Sequence, residues 1–274
     1  MAGIEFTNVS FTYPNGYTAN EELTFQIKPG ERVAIIGQNG AGKTTVAKMM
    51  NGLNKPTKGT VMVDDVNTKE VTTAQIAKKV GYVFQNPDEQ IFNSTVISEI
   101  EYMPRYFKLP EDIIKEKSNR VLKLTELEAL KSVNPMDISY SIRKFITIAA
   151  VLATEPQYTI WDEPTAGQDP KRIKILKNIM DYLEKIGVAV VVITHDMDFV
   201  INMFSRVIVM ANKRVIADGT PREIFSCDEI LTKACIDRPQ IGSLAHKLNI
   251  KDSLLFRDEI VQYLTKEGRI FNEE

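Results

Sequence analysis

The stretch Gly37-Gln38-Asn39-Gly40-Ala41-Gly42-Lys43-Thr44-Thr45 leaves this chain few folds to choose from. It matches G-x-x-x-x-G-K-[ST], a pattern that works only between a strand and a helix. The sequence supplies both. Arg32-Val33-Ala34-Ile35-Ile36 is a short apolar run that reads as a buried strand, and Val46-Ala47-Lys48-Met49-Met50 can continue as a helix. Glycines at 37, 40 and 42 let the backbone turn tightly and aim its N–H groups at a phosphate. A helix beginning near Gly42 adds the positive end of its dipole. Lys43 is placed to neutralise the β- and γ-phosphates of a nucleotide, and the Thr44 hydroxyl to hold Mg²⁺.

Composition narrows the partners. The 274 residues suffice for one large domain plus an appendage, and 43% apolar residues can bury a substantial core. A net charge of −2 with no basic stripe gives no reason to expect nucleic acid. Cys227 and Cys235 are the only cysteines, which suits a reducing compartment and argues against a zinc site or a disulfide framework. The most apolar stretches, 188–193 and 145–153, fall far short of a membrane span of about 20 residues. No charged region followed by an apolar one opens the chain, so no secretory signal is expected. A membrane would matter here only through a partner.

Taken in order, residues 4–11 alternate at period 2 and read as a half-buried strand, followed by turn chemistry at Tyr13-Pro14-Asn15-Gly16. Residues 23–27 are a second alternating strand. Two short strands ahead of the phosphate loop predict an antiparallel sheet beside the nucleotide core, with the Tyr13 ring free to stack on a base. Strands are expected at 60–63 and from Val80 to a glutamine end at Gln85, with a short helix over 73–79 between them. Residues 95–107, 110–124 and 139–153 have helical periodicity and form an expected helical insert, about 95–155. Residues 158–161 are a strand leading into Asp162-Glu163-Pro164. Asp169 caps and Pro170 opens a helix running to about Lys185. The β-branched run 188–194 suits the middle of a parallel sheet. Two further strands are expected at 206–210 and 214–217, and helices from about Gly219 onward.

Several polar residues follow strand ends, where ligands bind in α/β sheets. Asp162 closes an apolar strand, as a Mg²⁺-coordinating carboxylate should. Glu163 points differently and could polarise an attacking water as a general base. His195 ends another strand within reach of a γ-phosphate. Gln85 could bridge Mg²⁺ and the water. Singly, Asp162-Glu163 could merely cap a helix and His195 could be a satisfied strand-end histidine. Together and in this order behind a phosphate loop, they point to ATP hydrolysis.

These residues carry a resemblance. The chain resembles the ATP-binding cassette (ABC) ATPase subunits of transporters over about residues 3–220. The matching pieces are Tyr13 (A-loop), residues 37–45 (Walker A), Gln85 (Q-loop), Ile160-Trp161-Asp162-Glu163 (Walker B and catalytic glutamate), Ala166-Gly167-Gln168-Asp169 (D-loop) and Thr194-His195-Asp196 (switch histidine). The resemblance implies a P-loop NTPase core of α/β class, with an antiparallel β subdomain, a helical subdomain and a small C-terminal helical domain. Nucleotide contacts are then expected from Tyr13, Gly37, Asn39, Gly40, Ala41, Gly42, Lys43, Thr44 and Thr45. Metal contacts are expected from Thr44, Gln85 and Asp162, and catalytic roles for Glu163, His195 and Gln85. ATP and Mg²⁺ are the implied cofactors, and hydrolysis to ADP and phosphate the implied reaction, coupled to transmembrane transport.

Phe11-Thr12-Tyr13-Pro14, Val83-Phe84-Gln85-Asn86-Pro87-Asp88-Glu89-Gln90-Ile91-Phe92 and the tail Arg238-Pro239-Gln240-Ile241 with Leu244-Ala245-His246-Lys247-Leu248 look like energy-coupling factor (ECF) transporter ATPases. That family imports vitamins and transition metal ions. The likeness implies a peripheral place on the cytoplasmic face of the membrane, a substrate-binding membrane protein, and a transmembrane coupling protein. A helix of the coupling protein would enter the cleft beside Gln85, with Asp88 and Glu89 at its rim. It also implies an ATPase domain over 1–220 and a C-terminal helical dimerisation domain over 221–274.

One stretch departs from the family. The signature Leu-Ser-Gly-Gly-Gln aligns with Ile138-Ser139-Tyr140-Ser141-Ile142, so only Ser139 is kept. Tyr140 and Ser141 replace the glycines that let backbone N–H groups approach a phosphate. In the family each ATP lies between one subunit's Walker A and the other's signature. A homodimer would therefore have two poor sites, and a heterodimer with a second, signature-intact ABC ATPase is expected. The alternative is a regulatory or assembly subunit with little hydrolysis of its own. Smaller departures are Trp161, where an aliphatic residue is usual, and Gln168 in place of Leu.

Overall fold

A computed structural model describes residues 3–248, 250 and 254–266. The rest of the expected C-terminal domain (249, 251–253 and 267–274) and residues 1–2 lie outside the described residues. In chain order, strands β1 (Ile4–Thr12) and β2 (Thr18–Ile27) are followed by β3 (Arg32–Ile36), the phosphate loop and helix α1 (Lys43–Met50). Strands β4 (Lys58–Val63) and β5 (Val66–Asn67), helix α2 (Thr73–Ala77) and strand β6 (Val80–Val83) come next. Three helices, α3 (Val96–Tyr106), α4 (Glu111–Leu124) and α5 (Tyr140–Leu152), form the helical insert. The core resumes with β7 (Tyr158–Asp162), α6 (Pro170–Lys185), β8 (Ala189–Ile193), α7 (Met197–Met203), β9 (Arg206–Ala211) and β10 (Arg214–Gly219). Helices α8 (Pro221–Ser226), α9 (Asp228–Ala234), α10 (Gln240–Lys247) and α11 (Arg257–Lys266) follow.

The strands form two sheets, one of four strands in the order β2-β1-β4-β5 and one of six in the order β10-β9-β3-β8-β7-β6. The first is antiparallel throughout, as the two leading strands predict. In the second, β3, β6, β7, β8 and β9 run parallel and only the edge strand β10 is antiparallel. The β-branched strand β8 sits inside this sheet between β3 and β7.

The alternation of side chains along a strand divides the core in two. Val33 and Ile35 of β3 face the cluster shared with the antiparallel sheet and α1, whereas Ala34 and Ile36 face the cluster shared with α5 and α6. Val191 and Val192 of β8 divide the same way, as do Ile160 and Trp161 of β7. Burial on both faces is why these strands read as continuous apolar runs. Trp161 is a core residue, fully buried, and its indole N–H donates to Thr159 Oγ1 at 2.9 Å.

The structure alters one detail of β1. Strict period 2 would turn Asn8 inward and Val9 outward, yet Val9 is buried and Asn8 exposed. Asn8 adopts φ 49°, and the register with both neighbouring strands shifts around it. A bulge of one residue restores the apolar face.

Helix α3 of the insert and α6 of the core start where the sequence offers caps. Thr95 accepts from the Ser98 N–H, and Ser98 reciprocates toward Thr95. Asp169 caps α6 by accepting from the Arg172 N–H at 2.8 Å. Helices α8 and α9 lodge Ile224, Phe225, Leu231 and Ala234 in the main core, while Ala245, Ile250 and Ile260 form a small separate cluster with α10 and α11. Among the described residues, no helix is long and apolar enough to cross a membrane.

Candidate nucleotide-binding site

Parallel pairing brings four strand ends to one edge of the central sheet. Asp162 lies level with Ile193, Val83 with Trp161, and Ile35 with Ile193. The residues that follow, at 37–45, 84–85, 163 and 194–195, therefore converge without special folding of the loops. They surround a pocket of about 460 Å³. Asn39, Gly40, Gly42, Lys43, Thr44 and Thr45 line one side of it, Gln85, Asp162, Glu163, Ala166 and His195 another, and Tyr13 the mouth.

Two glycines make the loop possible. A side chain on Gly37 (φ 144°) would press on the Met210 carbonyl at 2.0 Å. One on Gly42 (φ 96°) would meet the Asn20 amide at 2.3 Å and the Ala19 carbonyl at 2.6 Å. Gly42 is the N-cap of α1 and brings no capping side chain, so the first-turn N–H groups remain for an anion. Lys43 is almost fully buried, and its ammonium donates to the Gly37 and Gln38 carbonyls at 2.7 and 2.9 Å. Burial lowers its pKa, against the opposing pull of Glu163 and Asp162. Gly37 and Ala41, also expected at the nucleotide, are buried and do not line the pocket.

Asp162 is 1% exposed and accepts from the Thr44 hydroxyl at 3.0 Å and the Tyr82 hydroxyl at 3.0 Å, both on Oδ2. The Tyr82 phenol is pushed up by burial and by the carboxylate beside it, so it remains a donor. Glu163 occupies the left-handed region (φ 48°), strained for a residue with a side chain. Its N–H donates to the Ile193 carbonyl at 2.8 Å, and its carboxylate accepts from the His195 N–H at 3.3 Å. The His195 ring nitrogen Nε2 lies 3.5 Å from the other carboxylate oxygen. Burial raises the Glu163 pKa, helped by Asp162, and burial lowers that of His195, helped by Lys43. A proton-hungry carboxylate and a neutral imidazole therefore face one another, a pairing suited to moving a proton from water.

At the mouth, the Tyr13 hydroxyl bonds to Thr45 Oγ1 at 3.0 Å, and its ring meets Phe11 edge-on at 4.8 Å. Tyr17 and Ala19 line the same mouth and escaped the sequence reading. Tyr17 lies near-parallel to Tyr13 at 6.4 Å, with the Lys213 ammonium 5.1 Å from its ring. Tyr82 and Lys144 were also missed. The signal for Tyr82 was a phenol inside an apolar strand, which needs a partner when buried. For Lys144 it was a cation, next to Arg143, directly ahead of the apolar run 145–153. Lys144 is fully buried and donates to the carbonyls of Phe84 at 2.9 Å, Gln85 at 2.5 Å and Asp162 at 3.2 Å. Burial lowers its pKa to about 8 in spite of Asp162 and Glu163.

Ser139, Tyr140, Ser141 and Ile142 stand apart from this pocket, at the start of α5. Tyr140 is exposed, and Ile142 packs against the core. Asp169 also lies outside it, paired with Arg172 at 2.5 Å; the Arg172 N–H and guanidinium hold its carboxyl below the usual range. A larger cavity of about 610 Å³ opens at the opposite ends of the strands, near Tyr158 and Val188, far from these groups.

The donor set fits ATP with Mg²⁺. Thr44 and Asp162 bring one hydroxyl and one carboxylate together, beside Gln85. Among the described residues no cluster of three or more His, Cys, Asp or Glu could cage a metal. A sparse set of this kind suits Mg²⁺, which keeps waters and takes its remaining ligands from substrate phosphates. The uncapped start of α1 and the Lys43 ammonium suit the phosphates themselves.

Comparison with known proteins agrees with this chemistry. The family model described as "ABC transporter" matches residues 20–166. An energy-coupling factor transporter ATP-binding protein of Methanocaldococcus jannaschii is 36% identical over 92% of this chain and 91% of its own length. A second of that description, from Clostridium perfringens, is 34% identical over 94% and 91%. Among solved structures, cbiO1 from Clostridium perfringens, described as part of the ABC transporter complex cbiONQ, superposes with a TM-score of 0.76 at 32% identity, covering 90% of this chain and 98% of that one. A dimeric ATP-binding cassette in a post-hydrolysis state with ADP and Pi gives a TM-score of 0.72 at 28% identity, over 80% and 98%. With its cassette fold and its Walker-type pocket, this chain belongs to the ABC transporter family as an ATP-binding, ATP-hydrolysing subunit that uses Mg²⁺ and couples hydrolysis to transport.

Proposed function

We propose that this chain is a motor subunit of an ECF-type importer for vitamins or transition metal ions, working as a heterodimer with a second ABC ATPase. The likeness to ATP-binding proteins named for energy-coupling factor transporters supports the importer class. The observation that carries the pairing is the start of α5, where Tyr140, Ser141 and Ile142 stand in place of two glycines and a glutamine. A partner's ATP docked there would meet an exposed phenol instead of bare backbone N–H groups. The chain's own pocket, completed by an intact signature from the partner, is the site we assign to hydrolysis.

In that site the adenine stacks on Tyr13, and Lys43 with the first-turn N–H groups of α1 binds the phosphates. Thr44, Asp162 and Gln85 would hold Mg²⁺, which when bound spreads charge from the β- and γ-phosphates. Glu163 orients the attacking water and accepts its proton, and His195 positions Glu163 while reaching the γ-phosphate. Asp169 begins the helix that faces the partner. Residues 1–220 serve as the ATPase domain, and the helices over 221–274, with their own small cluster, as the dimerisation domain. The cleft beside Gln85 takes a helix of a membrane-embedded coupling protein, which places the subunit on the cytoplasmic face. Asp88 at that rim is paired with Arg143 at 2.6 Å, so Glu89 carries most of the free charge offered to that helix.

The test is to measure turnover of the chain alone and with a signature-intact ATPase. Low turnover alone and a rise on mixing are expected. An ATP-dependent homodimer with high turnover would overturn the pairing. In the complete complex, Glu163→Gln should lower turnover about 100-fold while ATP still binds, and a full rate would remove Glu163 from the role. The degenerate signature also favours a second reading, an assembly subunit with little hydrolysis of its own. Under that reading Lys43→Ala in the complex leaves transport intact.

A further inference from the structure

The first turns of α5 are engaged within the chain itself. Gln168 Nε2 donates to the Ser141 carbonyl at 3.1 Å, while its Oε1 is buried with no bond among the described residues. Arg143 pairs with Asp88. Lys144 spends its three N–H donors on main-chain carbonyls of Phe84, Gln85 and Asp162. The partners thus come from the loop after β6, from the last residue of β7 and, through Gln168, from the loop that follows β7. The Gln168 departure thus reaches the stretch that has lost its glycines through a main-chain carbonyl.

We propose that Lys144 and Gln168 are positioning residues that bracket the start of α5 to the loops after β6 and β7, so that Gln85, Asp162 and Gly167-Gln168-Asp169 move as one body with this helix. The residues that follow the stretch without its glycines hold the start of α5 inside the chain. A fully buried ammonium bears a large desolvation cost, and here three main-chain carbonyl oxygens, two just past β6 and one at the last residue of β7, offset it. Those carbonyls in turn have the ammonium as a shared donor, so its removal unties the loop after β6 and the end of β7, from which the next loop starts, from α5 together. Gln168, held by one bond on a half-satisfied amide, adds a weaker tie at the far side. The consequence for hydrolysis rests on the reading of Gln85 and Asp162 given above; the bracket itself does not, and its test is read without turnover.

Hydrogen exchange of the full-length chain, wild type against Lys144→Met, Lys144→Gln and Gln168→Leu, decides the matter. Lys144→Met should speed exchange about tenfold or more over 84–90 and 163–169, leaving 189–193 in β8 unchanged. Lys144→Gln, which keeps a donor without the charge, should restore part of that protection. Gln168→Leu should speed exchange only over 165–169 and 139–145. Affinity for a fluorescent ATP analogue with Mg²⁺ should stay within about threefold of wild type in all three, because Lys43 and Thr44 are untouched. Wild-type protection in either loop of Lys144→Met would overturn the bracket, as would an equal loss across β8. Should Lys144→Met fail to fold, wild-type protection in both Lys144→Gln and Gln168→Leu would overturn it equally.

Discussion

Two loop-to-helix junctions in this molecule look alike in the backbone and differ in what their polar groups are free to do. The phosphate loop enters α1 and the 138–142 stretch enters α5, and neither helix has a capping side chain at its start. Both therefore present unsatisfied N–H groups and the positive end of a helix. At α1 the flanking residues are glycines that bring the backbone within reach of a ligand, with Lys43 and Thr44 beside it. At α5 the corresponding side chains are a phenol, a serine and a core isoleucine, and the next two residues bond inward to Asp88 and to strand-end carbonyls. An open helix start is thus not enough for a phosphate site. Bare backbone and uncommitted polar groups are also required.

The largest effect expected on this contrast is from Lys43→Ala. It removes the buried ammonium from the working junction and should lower turnover of the chain with its partner ATPase by about 100-fold or more, as read by phosphate release. Equal loss from truncating Tyr140 would erase the distinction between the junctions. Next, the double variant Tyr140→Gly with Ser141→Gly should make the second junction resemble the first. Turnover of the chain alone should rise about tenfold, while thermal unfolding shows α5 weakened by about 1–2 kcal/mol for two helical glycines. No rise would mean that Ile142 or the engaged cations, and not the missing glycines, disable the junction.

Gly42→Ala sharpens the comparison from the other side. The added methyl meets Asn20 and Ala19 at a φ that L-residues avoid, so a loss of roughly 1–3 kcal/mol is expected in denaturant unfolding. Ser141→Ala, in ordinary helical backbone, should stay within about 0.5 kcal/mol. A modest effect lies far from both junctions. Asp64 accepts from the Lys79 ammonium at 2.7 Å, the Tyr158 hydroxyl at 2.6 Å and the Gly3 N–H at 3.2 Å, tying the two sheets together. Burial alone would raise its pKa, but these bonds outweigh it and hold the carboxyl below its usual value. Its contribution is therefore complete above the unfolded pKa near 3.8 and is lost as pH falls through the lower folded value. Asp64→Asn should cost about 1 kcal/mol at neutral pH, and the difference from wild type should shrink in acid.

Much of the fold is legible in the residues because its signals are local. The strand before Gly37, the Asp169 cap and the periodicity over 95–107, 110–124 and 139–153 each depend on near neighbours, and the observed α3, α4, α5 and α6 fall within those spans. Of the residues named for the nucleotide contacts, all but Gly37 and Ala41 line the pocket, and Gln85, Asp162, Glu163 and His195 join them because parallel pairing carries strand ends to a common edge whatever the side chains between. What escaped depends on register and on contacts between distant segments. The bulge at Asn8 follows from cross-strand packing that no local alternation reveals. Tyr82 and Asp162 are 80 residues apart and meet only because β6 and β7 are adjacent.

The sequence by itself determined that this chain binds a phosphate, and that its signature stretch has lost the glycines through which such a stretch approaches one. Both follow from residue identity, since only glycine lets the backbone come that close. Only the tertiary structure decided what the altered stretch does instead. Lys144 reads in the sequence as the second of two cations ahead of an apolar run; its three carbonyl partners exist because α5 crosses the ends of β6 and β7, a geometry fixed by packing and not by any pattern along the chain.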